Sequence, residues 1–249
     1  MSFWKKPAEV QQTTTNASSI EEGRLAHELM EAATFGDLGS VQKVLGRGAS
    51  VNIGNSDFYT ALHYASENGH VGVVELLLAA GAGANAQTNE GWTPLMLASM
   101  NGHLDCVRAL LAKGVDVDTK TKVGAGALFL ACQDGHLEVV KTLLDNRSNV
   151  NAKAVNGWTP LLSASFKGHL QVVKVLLARG ADANCKETNG AAPLMFASQD
   201  GYLEIVQALI ENGANVNARA KNGGTALLVA QEGGHRNVEH LLRQHGARE

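Results

Sequence analysis

Histidine is the side chain that most invites a chemical interpretation in this sequence. Five of the nine histidines lie whole 33-residue steps apart, at His70, His103, His136, His169 and His235, with Tyr202 at the intervening step. A zinc site needs imidazole nitrogens within about 2.1 Å of one ion. Packed helices lie roughly 8–10 Å apart, so one histidine per step cannot share a metal. We therefore expect no metal site, and interpret the histidines as groups at helix starts that hydrogen-bond between neighbouring copies of the 33-residue interval.

The three cysteines are the next candidates for chemistry. Cys106 and Cys132 fall at apolar positions of the same 33-residue interval, which predicts buried thiols. Cys185 takes a loop position that Ala or Thr occupies elsewhere, and there the thiol is free to be exposed. No histidine or aspartate accompanies it as a nucleophile would require. The phosphate-loop, nucleophile-elbow and zinc-protease motifs are all missing, so we expect no catalytic residues, no cofactor and no enzyme.

Composition excludes further classes of function. The 249 residues are 45% hydrophobic and carry a net charge of -3, from 21 basic and 24 acidic residues. That balance gives no basic footprint for nucleic acid. No run approaches the ~18–20 apolar residues of a membrane span, and the N-terminal MSFWKKPAEV lacks the apolar core of a signal peptide. Three separated cysteines fit a reducing compartment, and we expect a cytoplasmic location.

Three unbroken series of identical residues show that the interval is a structural repeat. Leucine stands at 29, 62, 95, 128, 161, 194 and 227, alanine at 32, 65, 98, 131, 164, 197 and 230, and glycine at 36, 69, 102, 135, 168, 201 and 234. Proline fits the first turn of a helix, and Pro94, Pro160 and Pro193 share one phase. This predicts a short helix at 94–100, a second helix within 103–112 that ends at Gly114, and a polar return.

The sequence resembles the ankyrin repeat family at these motifs. It reads TALHYA at 60–65, TPLMLA at 93–98, TPLLSA at 159–164 and GHLEVVKTLL at 135–144. The resemblance covers about 25–249 and implies an all-α solenoid of stacked helix-turn-helix units with β-hairpin-like loops. It also implies a turn-stabilising hydrogen bond between His63 and Thr60. Seven copies are expected, at about 25–57, 58–90, 91–123, 124–156, 157–189, 190–222 and 223–249.

The two ends depart from the internal pattern, as the ends of a solenoid must. An internal valine column becomes Glu239 and a leucine column becomes Arg243, which predicts a solvated C-terminal cap. At the other end Ser19 and Glu22 form a candidate capping box, so the repeat domain is expected to span 20–249. Residues 1–19 are polar and predicted to lack fixed structure, although Phe3 and Trp4 leave a short docking motif open.

The fourth copy breaks two local rules at once. Gly126 replaces the threonine that opens the first helix, and Arg147 replaces the glycine found at 48, 81, 114, 180, 213 and 246. We predict that 124–156 is the least stable part of the stack. A hinge between the two halves and a tolerated defect are both open interpretations.

Two variable positions per copy indicate where a partner would bind. The resemblance implies that loop tips and first helices face a concave side, where Trp92, Met100, Trp158 and Phe166 are candidate anchors. The tryptophans could instead pack on their own loops. The full set predicted to bind a partner is Tyr59, Glu67, Asn89, Glu90, Trp92, Met100, Asn101, Lys122, Gln133, Asp134, Trp158, Phe166, Lys167, Gln199 and Asp200.

The expected function is therefore that of a non-enzymatic protein-binding module, acting as adaptor, scaffold or inhibitor. A regulatory subunit of an enzyme and a host-directed effector are the alternatives. The partner is expected to be a protein rather than nucleic acid or membrane, and the chain to be a monomer.

Overall fold

The computed structural model describes the backbone of residues 9–248 and the side chains of residues 19–248. Helices follow one another throughout this part, and its β-type pairing is confined to the isolated bridge Gly54–Thr60. The helices are α1 Glu9–Phe35, α2 Leu38–Gly46, α3 Ala61–Glu67, α4 Val71–Ala79, α5 Pro94–Met100, α6 Leu104–Leu111, α7 Ala127–Gln133, α8 Leu137–Asp145, α9 Pro160–Lys167, α10 Leu170–Ala178, α11 Pro193–Gln199, α12 Leu203–Glu211, α13 Ala226–Glu232 and α14 Arg236–Gln244. The all-α architecture expected from the sequence is confirmed.

The helices form two layers. Each odd-numbered helix packs on the even-numbered helix that follows it and on the next odd-numbered helix. The repeated leucines, alanines and valines fill the space between the layers, and Leu95, Leu161 and Leu194 are almost completely buried. Since each helix pair touches only its neighbours, stability is approximately a sum over adjacent pairs.

Helix starts follow the side chains that the sequence places there. Pro94, Pro160 and Pro193 are the first residues of their helices. Thr93 accepts a hydrogen bond from the Met96 amide at 3.3 Å, which satisfies an N–H that the helix itself cannot use. His63 Nδ1 accepts from the Thr60 amide at 3.1 Å, so the predicted turn contact is present.

The histidine series joins neighbouring helix pairs. His136 Nε2 donates to the carbonyl of Met100 at 2.8 Å, and the other four histidines make the same contact 36 residues back, to Thr34, Glu67, Gln133 and Gln199. These carbonyls lie in the last turn of an odd-numbered helix, where the helix has no amide four residues further on to bind them. The prediction that the histidines bond between neighbouring copies is confirmed.

The glycine series is explained by the histidine series, because each imidazole lies against a glycine of the preceding copy. Gly102 has φ +74°, and a Cβ added there would lie 2.4 Å from Nδ1 of His136. Only glycine therefore fits beside the imidazole. Tyr202 plays the part of the histidine beside Gly168, where an added Cβ would lie 2.7 Å from its ring.

The loops between helix pairs form a row of fingers, which we define by their tips at 53–58, 86–91, 119–124, 152–157, 185–190 and 218–223. Backbone hydrogen bonds tie each finger to the next, as from Val155 N to Val123 O at 3.1 Å and from Lys221 N to Asn189 O at 2.8 Å. At the base of the fingers, Asn151 accepts from the Asp182 amide at 2.9 Å and donates to the Gly180 carbonyl at 3.1 Å. The fingers are thus fixed relative to one another.

The first helix is longer than the sequence predicted. It begins at Glu9, so the expectation that 1–19 lack fixed structure is wrong for 9–19, and Ser19 and Glu22 lie inside the helix rather than capping it. Residues 1–8, with the possible docking motif at Phe3 and Trp4, lie outside the described residues. Extending an existing helix costs far less than starting one, and no proline or glycine interrupts 9–22.

The C-terminal end carries the polar cap that the sequence predicted. Arg243 Nε donates to Glu239 Oε1 at 3.1 Å, and Gln231 donates to the same oxygen at 3.3 Å. Arg243 is exposed and Glu239 is partly exposed. The hydrogen bond from Arg243 lowers the pKa of the Glu239 carboxyl, so the cap stays charged to a lower pH than an isolated glutamate would.

Removing this cap should make the chain self-associate. Glu239→Val with Arg243→Leu restores the internal pattern and exposes an apolar helix face that a second copy can cover. Sedimentation equilibrium should show a concentration-dependent increase in mass for this variant and a monomer for the wild type. Glu204→Val with Gln207→Leu adds similar apolar groups away from the end and serves as control. A capless variant that stays monomeric at high concentration would show that these residues do not prevent stacking.

The fourth helix pair shows both local defects. Arg147 has φ +67°, a conformation that disfavours side chains, and Gly126 offers no side chain to cap α7. Asp118 partly compensates, because it accepts from Ser148 Oγ at 2.9 Å and from the Asn149 amide at 3.0 Å.

Correcting these positions should stabilise the protein. Arg147→Gly removes a strain of about 1–2 kcal/mol. Gly126→Thr adds a cap worth about 1 kcal/mol, less the cost of moving the Thr119 carbonyl oxygen, which lies 3.3 Å from the new Cβ. Urea unfolding should show the gain. Gly180→Arg, at a matching site with φ +84° and open space around it, should cost what Arg147→Gly gains. Amide exchange in 124–156 should be faster than in 157–189, and equal protection in the two segments would refute a weak fourth pair.

Candidate protein-binding face

None of the fifteen residues predicted to bind a partner is fully buried. Tyr59, Glu67, Trp92, Met100, Gln133 and Trp158 are half-buried, while the others are exposed, namely Asn89, Glu90, Asn101, Lys122, Asp134, Phe166, Lys167, Gln199 and Asp200. We call these residues the candidate face. They belong to two kinds of element, the fingers and the C-terminal ends of the odd-numbered helices.

Three aromatic rings form a cluster on this face. The centroids of Trp158 and Phe166 are 5.6 Å apart at 85°, and Trp158 and Phe196 are 5.2 Å apart at 37°. Phe166 and Phe196 complete the triangle at 5.6 Å and 77°. Phe166 remains 37% exposed, and Lys167 Nζ lies 5.4 Å from its ring centroid. The cluster presents apolar surface that is held in place by ring-to-ring packing.

A groove runs beside the aromatic cluster. Trp158 and Phe196 form one part of its wall, and Lys221 and Asn222, from the finger at 218–223, form another. Its remaining lining combines carboxylate, amide and methyl groups from Glu187, Asn189, Ala191 and Ala220. Glu187 holds its own finger, because its carboxylate accepts from the amides of Asn189 at 2.8 Å and Ala191 at 3.0 Å. The groove therefore has one apolar wall and a polar rim.

The other two predicted anchors, Trp92 and Met100, expose a smaller fraction of their surface than Phe166 does. Trp92 and Met100 are packed against the core, although each keeps some exposed surface. Among the predicted rim residues, Asn101 donates to the Leu97 carbonyl at 3.0 Å and Asn89 donates to the Ser56 carbonyl at 3.1 Å. Lys122 Nζ lies 3.4 Å from Glu90 Oε1 in the adjacent finger. Several rim side chains thus serve the fold as well as the surface.

A second aromatic group lies nearer the N-terminus. The Tyr59 ring is 5.4 Å from the rings of both His63 and Tyr64, and Asn55 donates to the Tyr64 hydroxyl at 3.1 Å. Burial lowers the pKa of His63, so the imidazole is neutral at pH 7. Since Nδ1 accepts from the Thr60 amide, Nε2 carries the proton and donates to the carbonyls of Ala86 and Trp92, each at 3.1 Å.

Sequence reasoning missed two aromatic residues of this surface. Phe196 stands in a column whose other members include buried Leu97 and Leu130, so its phase indicated core. Phe58 is 61% exposed with φ +61°, at a position where the following fingers have Gly91, Gly124, Gly157, Gly190 and Gly223. A phenylalanine in a glycine column was the available signal, because a side chain at positive φ is strained.

The cysteines are all buried. This confirms the prediction for Cys106 and Cys132, but Cys185 is only 6% exposed, and the expectation of a loop thiol open to solvent is wrong. Its side chain turns inward and lies 3.2 Å from the Thr159 hydroxyl. Burial raises the pKa of Cys106 and of Cys185 to about 11, so both thiols are protonated at neutral pH. Protonated thiols are poor nucleophiles.

Comparison with known proteins identifies the class. A model of ankyrin repeats matches three segments, 29–121, 118–187 and 179–248, and the chain belongs to the ankyrin repeat family. Ankyrin repeat domains are protein–protein interaction modules. A search of curated proteins gives no significant match. Among residues 9–248, none of the helices combines the length and hydrophobicity that crossing a bilayer requires.

Two solved structures illustrate the likeness. The ankyrin repeat domain of human ASB11 is 30% identical, with a TM-score of 0.80, over 89% of this chain and 98% of that one. The ankyrin repeat domain of Bcl-3, described as a unique member of the IκB protein family, is also 30% identical, with a TM-score of 0.74, over 87% of this chain and 97% of that one.

Proposed function

We propose that this protein is a non-enzymatic adaptor, scaffold or inhibitor that binds a protein partner on the concave side formed by the fingers and the odd-numbered helices. The observation that carries the proposal is the aromatic cluster of Trp158, Phe166 and Phe196, which leaves Phe166 37% exposed on a surface of fixed geometry. A few residues supply most of the binding energy in protein interfaces, and tryptophan is among the residue types enriched there.

The hydrogen bonds between fingers support the same proposal. Because each finger is bonded to the next, as by Val155 and Val123, the surface needs little reordering when a partner binds. A surface that is already ordered loses less conformational entropy on association. The C-terminal cap at Glu239 and Arg243 favours a monomer, which leaves this side available to a different protein.

The proposal is tested by affinity capture with three forms of the chain. We expect wild type to retain a specific set of proteins from lysate of the source cells, and Trp158→Ala with Phe166→Ala to lose them. Gln171→Ala with Lys174→Ala, at exposed positions of α10, should capture the same set as wild type. Circular dichroism checks that all three are folded. Retention of the same proteins by the aromatic variant would exclude this cluster as the binding site.

A further inference from the structure

Four consecutive fingers carry a cation at the same position. These residues are Lys120, Lys153, Lys186 and Arg219, each one 33-residue step after the last, and all are exposed. The first two fingers have Gly54 and Gln87 there. We call the four residues the basic stripe.

Contacts between fingers hold two members of the basic stripe, Lys120 and Lys186, against the next finger. Lys120 Nζ donates to the Lys153 carbonyl at 2.9 Å, and Lys186 Nζ lies 3.4 Å from the Arg219 carbonyl. Each of these lysines thus reaches the backbone that carries the next cation. Helices of successive pairs pack about 8–10 Å apart, and we take the same step, roughly 10 Å, as the spacing of successive members.

The charge of the fingers changes sign along the stack. The tips at 53–58 and 86–91 contain two carboxylates, Asp57 and Glu90, and no cation. The four tips from 119–124 to 218–223 contain six cations and one carboxylate, because Lys122 and Lys221 add to the stripe and Glu187 opposes it. Of these cations, Lys122 is paired with Glu90 of the preceding finger. Glu187 is bonded to backbone amides of its own finger. The overall charge of -3 conceals this local excess of positive charge.

We propose that the basic stripe binds an extended, acidic segment of a protein partner, with a carboxylate at every third residue. This inference rests on the proposed function and specifies the partner's chemistry. In the polyproline II form of an extended chain, three residues make one turn and each advances about 3.1 Å, so every third side chain lies on one face at a spacing of about 9 Å, close to the step of the stripe. Lys221 lines the groove beside Trp158 and Phe196, so an apolar side chain of the same segment fits there.

Spacing favours a peptide over a nucleic acid. Phosphates follow one another about every 3.4 Å along a DNA strand, about three for each cation of the stripe. Glu187, next to Lys186 in the same finger, is a carboxylate in the path of a continuous polyanion, whereas a peptide can place a neutral residue opposite it.

The test measures fluorescence anisotropy of labelled probes with the full-length protein. One probe is a 16-residue peptide with Glu at every third position and one central Leu. A second has the same composition with its Glu residues contiguous, and a third is a single-stranded oligonucleotide of equal charge. We expect the spaced peptide to bind at least tenfold more tightly than either of the others, and its affinity to fall as salt is raised.

Matched charge reversals complete the test. Lys153→Glu with Lys186→Glu should weaken binding of the spaced peptide at least tenfold. Lys113→Glu with Lys174→Glu changes the net charge equally at exposed positions outside the fingers and should change affinity less than threefold. Equal affinity for the two peptides, equal effects of the two reversals, or tighter binding of the oligonucleotide would overturn the proposal.

The outcome separates this inference from the proposed function. Captured proteins that are lost with Trp158→Ala and Phe166→Ala but retained by the stripe reversal would leave the interaction module in place and refute the acidic segment. Retention by both variants would refute both proposals.

Discussion

Replacing Gly102 by alanine is expected to lower the free energy of unfolding by about 2–5 kcal/mol, the sum of two effects. A side chain at φ +74° costs about 1–2 kcal/mol. The new Cβ also lies 2.4 Å from Nδ1 of His136, so the imidazole must leave the Met100 carbonyl. A partly buried carbonyl that loses its partner adds up to about 1–3 kcal/mol.

Gly114→Ala is the matched control for this prediction. Gly114 has nearly the same φ, +72°, but an added Cβ would meet nothing within 4 Å. It should therefore cost only the backbone strain, about 1–2 kcal/mol. Chemical denaturation of both variants measures the difference, and His136→Ala in the Gly102→Ala background should remove the steric part. Equal losses for Gly102→Ala and Gly114→Ala would show that the imidazole yields without cost.

The second large effect is expected on binding rather than on folding. Trp158→Ala should weaken the affinity for the captured partner by about 2 kcal/mol or more, about 30-fold, as loss of a buried aromatic hot spot does. The indole contacts both Phe166 and Phe196, so its removal also frees two rings that it holds. Titration calorimetry gives the affinity, and thermal unfolding checks that the fold survives.

Two comparisons make the Trp158 prediction specific. Trp158→Phe keeps an aromatic ring in the cluster and should recover most of the affinity. Trp92→Ala, also predicted from the sequence to weaken binding by ~2 kcal/mol, removes a side chain packed against the core and should lower stability as well. Unchanged affinity for Trp158→Ala would mean that the indole serves only to pack its own finger.

The repeat made the fold predictable because every internal contact recurs. A contact such as His136 to Met100 is made again one copy away, so its two residues appear in the sequence as parallel series. Helix starts at Pro94 and Pro160 and the strained φ of Arg147 follow from local chemistry that is readable without coordinates. The environment of a residue can therefore be predicted from its position within the repeat.

What could not be predicted depends on single positions or on context outside the repeat. Polar composition at 9–19 indicated no structure, but those residues continue a helix that is anchored from residue 25 onward. Cys185 occupies a loop, and only the structure shows that this loop position faces Thr159. Phe196 stands at a repeat position that is buried in other copies, but here its ring packs against Trp158 in the aromatic cluster. The basic stripe was visible as Lys120, Lys153, Lys186 and Arg219, but net charge obscured it.

The 36-residue span between each histidine and its acceptor has a consequence for how this chain can change in length. If 124–156 were excised, His169 would meet the carbonyl of Met100 in place of that of Gln133, since the two acceptors are 33 residues apart. Losses or duplications of one whole unit therefore preserve every junction except in the identity of the side chains that meet. An insertion of any other length inside one of these spans would change the separation of that histidine from its acceptor, while the pairs on either side keep theirs. Tandem duplication at the level of the gene is thus the change in length that this architecture accepts most readily.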